Sequence, residues 1–358
     1  MKQTSDPVRI GVLGCGMISQ AAHFESCQKA KNARLYAICD AADDLRTRMT
    51  QVWDPEVAYR QYDEMLGDPK VEAVIIGIAD QFHVSAAIEA IKAGKHVLVE
   101  KPLGVSVEEC ADLLKVKRAA PELVVRVGCM KRFDPGIAFA RRFIEQEMGT
   151  RLALKAWYCD STSRYTETGN LQPLILKSAN AKRPEGNPKA NRQSYYLLGH
   201  GSHLIDTARF LGGEIARVNA NFVQKYDAHC WFVAIEFEDG SVGHLDLTLA
   251  VRMGWHEGFQ VYGEFGTVVG KIFNPWYLRS AEVECFSLRD GQFKRPLGED
   301  AHFFRLQVES FADAIRGKDD FPAASAEDGF AAIQTLRAIQ LSASKKEPVA
   351  VADATGAI

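Results

Sequence analysis

The chain lacks an excess of either charge: 43 Lys and Arg against 46 Asp and Glu leave a net charge of -3 over 358 residues. With no basic stripe, nothing in it invites nucleic acid or a membrane surface as a partner. No apolar run approaches the roughly 18 residues a spanning helix needs. The opening Met1-Lys-Gln-Thr-Ser-Asp-Pro7 has no apolar segment of the kind a secretory leader carries, so a cytoplasmic location is expected. The eight cysteines, scattered from Cys15 to Cys285, form no CxxC pair and read as reduced, mostly buried thiols rather than a disulfide framework. Internal repeats and low-complexity tracts are absent too. What remains, 47% hydrophobic and 25% charged residues, is the composition of a soluble globular chain, and the length suggests two domains.

The N-terminal third carries the first positive signal. Val8 to Leu13 reads as a buried strand, Gly14-Cys15-Gly16 as a tight turn, and Met17 to Ala30 as a helix whose first amides, near Met17 and Ile18, face a phosphate. Ser19 stands where a third glycine is usual and is small enough for helix and strand to pack closely. Asp40 closes the next apolar run at the position expected to hold ribose hydroxyls. Further strands at 71–78, 96–99 and 123–127 alternate with amphipathic helices, one opened by the capping signal Ser106-Val-Glu-Glu109. The pattern is that of an α/β, doubly wound parallel sheet. Cys15, at a helix N-terminus, is expected to have a lowered pKa and to be open to alkylation.

From about residue 131 the texture changes. After a helix to Met148, strands near 151–159, 231–237 and 242–249, the last two joined by Glu238-Asp239-Gly240, read as antiparallel pairs. The expected division is residues 1–130 for dinucleotide binding, and 131–358 for an α+β domain on a large, open, mostly antiparallel sheet. Late helices at 302–316 and 326–344 pack on that sheet or return to the first domain.

Three places carry chemistry. Lys101 follows the strand 96–99 and so lies at the carboxyl end of a parallel sheet, where it either donates to a substrate oxygen or is an ordinary surface lysine. In Gly199-His200-Gly201-Ser202-His203-Leu-Ile-Asp206, the two histidines and Asp206 recur at intervals of three and can share a helix face. One imidazole would serve as general base with Asp206 or a neighbour setting its tautomer. The alternatives are a metal site, or histidines packed for structure alone. Between Lys177 and Arg192 a polar loop holds Lys182, Arg183, Lys189 and Asn191; it either closes over a polyol or is a solvated excursion.

Together Gly14-Cys15-Gly16, Glu100-Lys101-Pro102, Arg132-Phe133 and Gly201-Ser202-His203-Leu-Ile-Asp206 resemble the Gfo/Idh/MocA family across essentially the whole chain. The resemblance implies a Rossmann domain, a C-terminal α/β domain that associates through its sheet into a homodimer or homotetramer, and NAD(P)-dependent redox chemistry on sugars or cyclitols. It implies catalysis by Lys101 and His203. It places Gly14, Cys15, Gly16, Met17, Ile18, Asp40, Ile78, Ala79, His83, Glu100, Lys101 and Arg132 at the cofactor. Tyr158, Arg183, Asn191, His200, His203 and Lys101 fall at the substrate. The sequence departs from the family twice. Gly199 stands where an aspartate is common, with His200 as its candidate substitute, and Ile78-Ala79-Asp80 replaces Thr-Pro-Asn. No metal is expected. Asp40, followed by Ala41, Asp43 and Asp44, would repel a 2′-phosphate, which favours NAD over NADP; Arg46 or Arg48 reaching back would oppose this. The expected reaction is hydride transfer at a secondary alcohol or ketone of a sugar, glycoside or cyclitol. Rival readings are a net non-redox glycosidase or epimerase that oxidises its substrate transiently, and an NAD- and sugar-sensing regulator.

Overall fold

The computed structural model describes residues 6–162, 164–181 and 185–358. The chain forms two compact units, one from 1–130, 172–187 and 303–330, the other from 131–171, 188–302 and 331–358. Two segments beyond residue 130 therefore belong with the first unit, which a single cut of the chain does not capture.

In the first unit six parallel strands form one sheet: β1 Val8–Leu13, β2 Ala33–Cys39, β3 Val57–Tyr59, β4 Ala73–Ile76, β5 His96–Val99 and β6 Val125–Val127, in the order β3-β2-β1-β4-β5-β6. Their apolar runs are continuous because both faces are covered, as every residue of β4 is buried. The strand order reverses between β1 and β4, which opens a crevice at the carboxyl edge of the sheet. The edge strand β3 was not expected; at three half-exposed residues it is too short to show periodicity. The capping box at Ser106 and Glu109 forms as expected. The late helix Phe303–Ile315 returns to this unit, where Val308, Phe311 and Ala312 join a core with Ile10, Phe24, Ile38 and Leu98. Asn32 fixes it by donating to Glu309 O at 2.9 Å and to Asp313 Oδ1 at 2.8 Å.

The second unit is built on nine strands: β7 Arg151–Ser161, β8 Ile215–Lys225, β9 Ala228–Phe237, β10 Val242–Val251, β11 His256–Gly263, β12 Gly266–Ile272, β13 Glu282–Ser287, β14 Gln292–Lys294 and β15 Val349–Ala350. Their order is β14-β13-β12-β11-β7-β10-β9-β8-β15, and all pairs are antiparallel except β7 with β10. On β9, Trp231, Val233, Ile235 and Phe237 are buried while Phe232, Ala234 and Glu236 face outward. The inner face lies under the helices Pro135–Gln146 and Ser202–Gly212. The outer face keeps apolar side chains such as Phe232 and Val242 half exposed. Among the described residues no helix is long and apolar enough to cross a membrane.

Candidate active site

At the carboxyl edge of the first sheet, the ends of β1, β2 and β4 surround a cleft of about 860 Å³ lined by Gly14, Asp40, Ala41, Arg60, Ile78 and Asn180, among others. Gly14 adopts φ +92°, and a Cβ there would meet Gly77 O at 2.7 Å, so the turn accepts only glycine. The helix that follows begins at Met17, which is exposed with Ile18 beside it, and passes through a π-turn at Ser19–His23. The missing third glycine has a structural answer on the neighbouring strand end: a Cβ on Gly77 would meet Ser19 Oγ at 2.8 Å. Close approach is kept by a glycine on the sheet side instead of the helix side.

Asp40 holds this loop in place. Its Oδ2 accepts from Cys15 N–H at 2.7 Å and its Oδ1 from Ala42 N–H at 2.8 Å. Arg46 does reach back, but its guanidinium donates to Asp40 O at 2.6 Å and pairs with Asp43, and is thereby taken up by acidic neighbours. The expectation for Cys15 is overturned. Burial, then the charge of Asp40, pushes its thiol well above the ordinary range, and the side chain is fully buried. Desolvation and a carboxylate outweigh the helix N-terminus here. All eight cysteines are free and seven are buried, Cys230 being partly exposed.

Behind the loop stands a buried contact: His23 Nε2 lies 3.0 Å from Glu100 Oε1. Burial pushes Glu100 up, but His23 and the charges of Lys101 and His83 more than offset this, leaving the carboxyl below its ordinary value. Glu100 Oε2 in turn accepts from Lys101 N–H at 3.1 Å, which fixes the backbone of a half-buried lysine directly after β5. His83 joins the neighbouring loops, its Nδ1 2.7 Å from Pro102 O and its Nε2 3.1 Å from Ile78 O. Of these two backbones, that of Ile78 belongs to a residue lining the cleft.

In the second unit a second π-turn, Leu197–Gly201, presents His200, and the helix Ser202–Gly212 carries His203. Inserted π-turns recur at functional sites because they turn side chains out of helical register. Both imidazoles meet the buried Tyr158 of β7: His203 stacks on its ring at 6.2 Å and 5°, and His200 stands edge-on with Nδ1 3.4 Å from the phenol oxygen. His200 Nδ1 also lies 3.5 Å from Asp160 Oδ2. The carboxylate that position 199 does not supply thus comes to His200 from β7. Asp206 does not set a tautomer, because Arg132 takes its carboxylate in a forked pair of three hydrogen bonds between 2.7 and 3.1 Å. The three residues are no ligand set, and among the described residues no group of three or more His, Cys, Asp or Glu could hold a metal. A pocket of about 480 Å³ opens beside His200, lined by Asp160, Lys189, Arg192, Tyr195 and Asp227. Asn191 caps the helix Arg192–Tyr196 by accepting from Gln193 and Ser194 N–H, while Arg183 lies outside the described residues.

Residues 8–128 match the model of an oxidoreductase family with an NAD-binding Rossmann fold, and residues 187–351 match the C-terminal alpha/beta domain of that family. The chain belongs to the Gfo/Idh/MocA family. It is an NAD-dependent oxidoreductase. Among its relatives is inositol 2-dehydrogenase 2 of Saccharopolyspora erythraea, 28% identical, the match covering 92% of this chain and 91% of that one. Similar folds are those of scyllo-inositol dehydrogenase from Lactobacillus casei with bound NAD(H) and scyllo-inositol (TM-score 0.73, 21% identity, covering 97% and 100%) and of levoglucosan dehydrogenase with NADH and L-sorbose (0.78, 21%, 97% and 99%).

In this Gfo/Idh/MocA oxidoreductase a further pairing went unseen in the sequence, besides His23 with Glu100 and His200 with Asp160. Lys131 and Glu257, both buried, form an ion pair, and the ammonium lies 4.6 Å over the ring of Tyr158 and 5.8 Å from that of Trp255. Burial pushes Glu257 up and Lys131 only partly offsets it. The adjacent cations Lys131-Arg132 were the only local hint. Their partners are 126 and 74 residues away.

Proposed function

We propose that this enzyme moves hydride between NAD and a secondary alcohol, or the matching ketone, of a sugar, glycoside or cyclitol. The observation that carries the reading is the pair of imidazoles on Tyr158, one of which, His200, lines a pocket with charged and phenolic walls. Its size falls within the range of about 300–1,000 Å³ typical of small-molecule sites, and its polar groups suit a ligand rich in hydroxyls. The names of the relatives, inositol and levoglucosan dehydrogenases, point to the same substrate class.

The cofactor fits the residues present: the Gly14-Cys15-Gly16 turn leaves room for a pyrophosphate at a helix N-terminus, Asp40 lines the cleft where it would meet the ribose hydroxyls, and the cleft is open between β2 and β4. NAD held there would supply the acceptor or donor of the hydride. His203 takes the hydroxyl proton as the C–H bond breaks, Lys101 donates to the reacting oxygen, and the Asp160–His200 pair orients neighbouring hydroxyls. Glu100 holds the Lys101 backbone, and Arg132 holds the helix of His203 through Asp206. The half-exposed apolar residues on the outer sheet face support self-association into a dimer or tetramer, which light scattering on a sizing column would measure.

A spectrophotometric screen of inositols, aldoses, sugar acids and glycosides with NAD and NADP tests the reading. Reduced nicotinamide should accumulate with at least one cyclitol or sugar, faster with NAD. Conversion of a glycoside without any accumulation would replace it with transient oxidation and net hydrolysis or epimerisation.

A further inference from the structure

The first unit contains a stretch that lies far from the glycine motif in sequence, residues 172–181. The carboxamide of Gln20, on the buried π-turn, grips the backbone of Leu176 on both sides: Nε2 donates to Leu176 O and Oε1 accepts from Leu176 N–H, each at 2.9 Å. The same Nε2 donates to Cys15 O at 2.8 Å, inside the phosphate turn. Two residues on, Ser178 Oγ donates to Asp44 Oδ1 at 2.7 Å and accepts from the N–H groups of Asn180 and Ala181, each at 2.9 Å. Ala179 N–H donates to the other Asp44 oxygen at 2.9 Å. One hydroxyl thereby uses its single donor and both acceptors, and the two residues it holds, Asn180 and Ala181, line the cleft with Asp40, Ala41 and Ile78.

We infer that Ser178 is a positioning residue for the cofactor: it sets Asn180 and Ala181 as an outer wall against the adenosine half of the dinucleotide, latched to Asp44 and Gln20. Retention of NAD then depends on a strap that the Rossmann fingerprint does not include. The strap crosses from the phosphate turn, through Gln20, to the ribose end of the cleft, through Asp44, so it touches both halves of the adenosine diphosphate path. A loosened wall exposes the adenosine to water and speeds its departure, while the amides and Asp40 that capture it are unchanged.

The inference rests on the cofactor site proposed above, and NADH binding to the full chain separates the two. Dissociation is followed by stopped-flow loss of NADH fluorescence on mixing with excess NAD, for wild type, Ser178→Ala, Ser178→Thr and Asp44→Ala. Ser178→Ala and Asp44→Ala should each release NADH about tenfold faster, as expected for loss of hydrogen bonds to a charged group, with association little altered. Ser178→Thr, which keeps the hydroxyl, should stay near wild type, and the melting midpoint of the cofactor-free protein should not change. Wild-type release from both Ser178→Ala and Asp44→Ala would overturn the strap alone. Faster release accompanied by an equal loss of cofactor-free stability would reduce Ser178 to a structural residue and overturn it too. A wild-type chain that binds no NADH would sink the cofactor site itself.

Discussion

Arg132 closes on Asp206 as a fork, Nε 3.0 and 3.1 Å from the two carboxylate oxygens and Nη2 2.7 Å from the first, with both side chains buried. The guanidinium also stacks over Phe210, 5.0 Å from its ring centre, so the helix that presents His203 is held by a planar group that lysine does not replace. Arg132→Met should destabilise the fold by about 3–5 kcal/mol, because Asp206 is left as a lone buried charge. The double variant Arg132→Met with Asp206→Leu should recover a large part of that loss in urea unfolding. Equal stability of the single variant and wild type would contradict this account of the pair.

His203→Ala should lower turnover by about 10²- to 10⁴-fold, the usual contribution of a positioned base, with NADH affinity retained. Lys101→Ala should lower turnover by a similar order without loosening NADH. Steady-state rates on the best substrate from the screen, with NADH titrations alongside, check both. Near-normal turnover in either variant would remove that residue from the mechanism.

The pH dependence of stability carries the mark of Glu100. Its carboxyl sits below its ordinary value in the folded chain, so its contribution is fully present above the unfolded value of about 4.5 and is lost as pH falls through the folded one. Glu100→Gln should therefore be less stable than wild type at neutral pH, by about 1–3 kcal/mol for a buried partner left poorly paired. The gap should narrow as pH drops below 4.5. Denaturant midpoints for both proteins between pH 3 and pH 8, about the span over which carboxylates and histidines titrate, measure it. A gap that widens with acid would mean the opposite sign of shift.

In the proposed cofactor site Asp40 is the charge expected to set coenzyme choice. Removing one carboxylate beside a 2′-phosphate relieves a repulsion worth about 1–4 kcal/mol at the dielectric of a partly exposed cleft. Asp40→Ala should accordingly lower the preference for NAD over NADP by about tenfold or more in kcat/KM. An unchanged ratio would place the discrimination elsewhere, with Asp43 or the strap.

Much of the fold was legible because its signals are local. Strands Val8–Leu13 and His96–Val99 match their apolar runs to the residue, and the Ser106 box and the turn after Glu238 depend on residues within a few positions of each other. Where the reading failed, a distant partner had intervened. Cys15 was placed correctly at a helix N-terminus, but the carboxylate of Asp40 and full burial reverse its pKa. Asp206 was placed correctly on the face of His203, but Arg132 claims it. The polar loop after Lys177 reads either as a substrate cover or as a solvated excursion, whereas Ser178 and Ala179 at its described start are bound to Asp44 on the dinucleotide unit.

By itself, then, the order of residues settles the parallel sheet and the glycine turn, and singles out positions 101 and 203 as candidates, since backbone sterics and burial periodicity act over a few residues. Only the folded chain decides which polar group meets which: His23 with Glu100, Lys131 with Glu257, His200 with Asp160. Those pairings join residues 40 to 126 positions apart, and they follow from strand order and register, which bring distant side chains into a medium too poor in water to leave a charge unanswered.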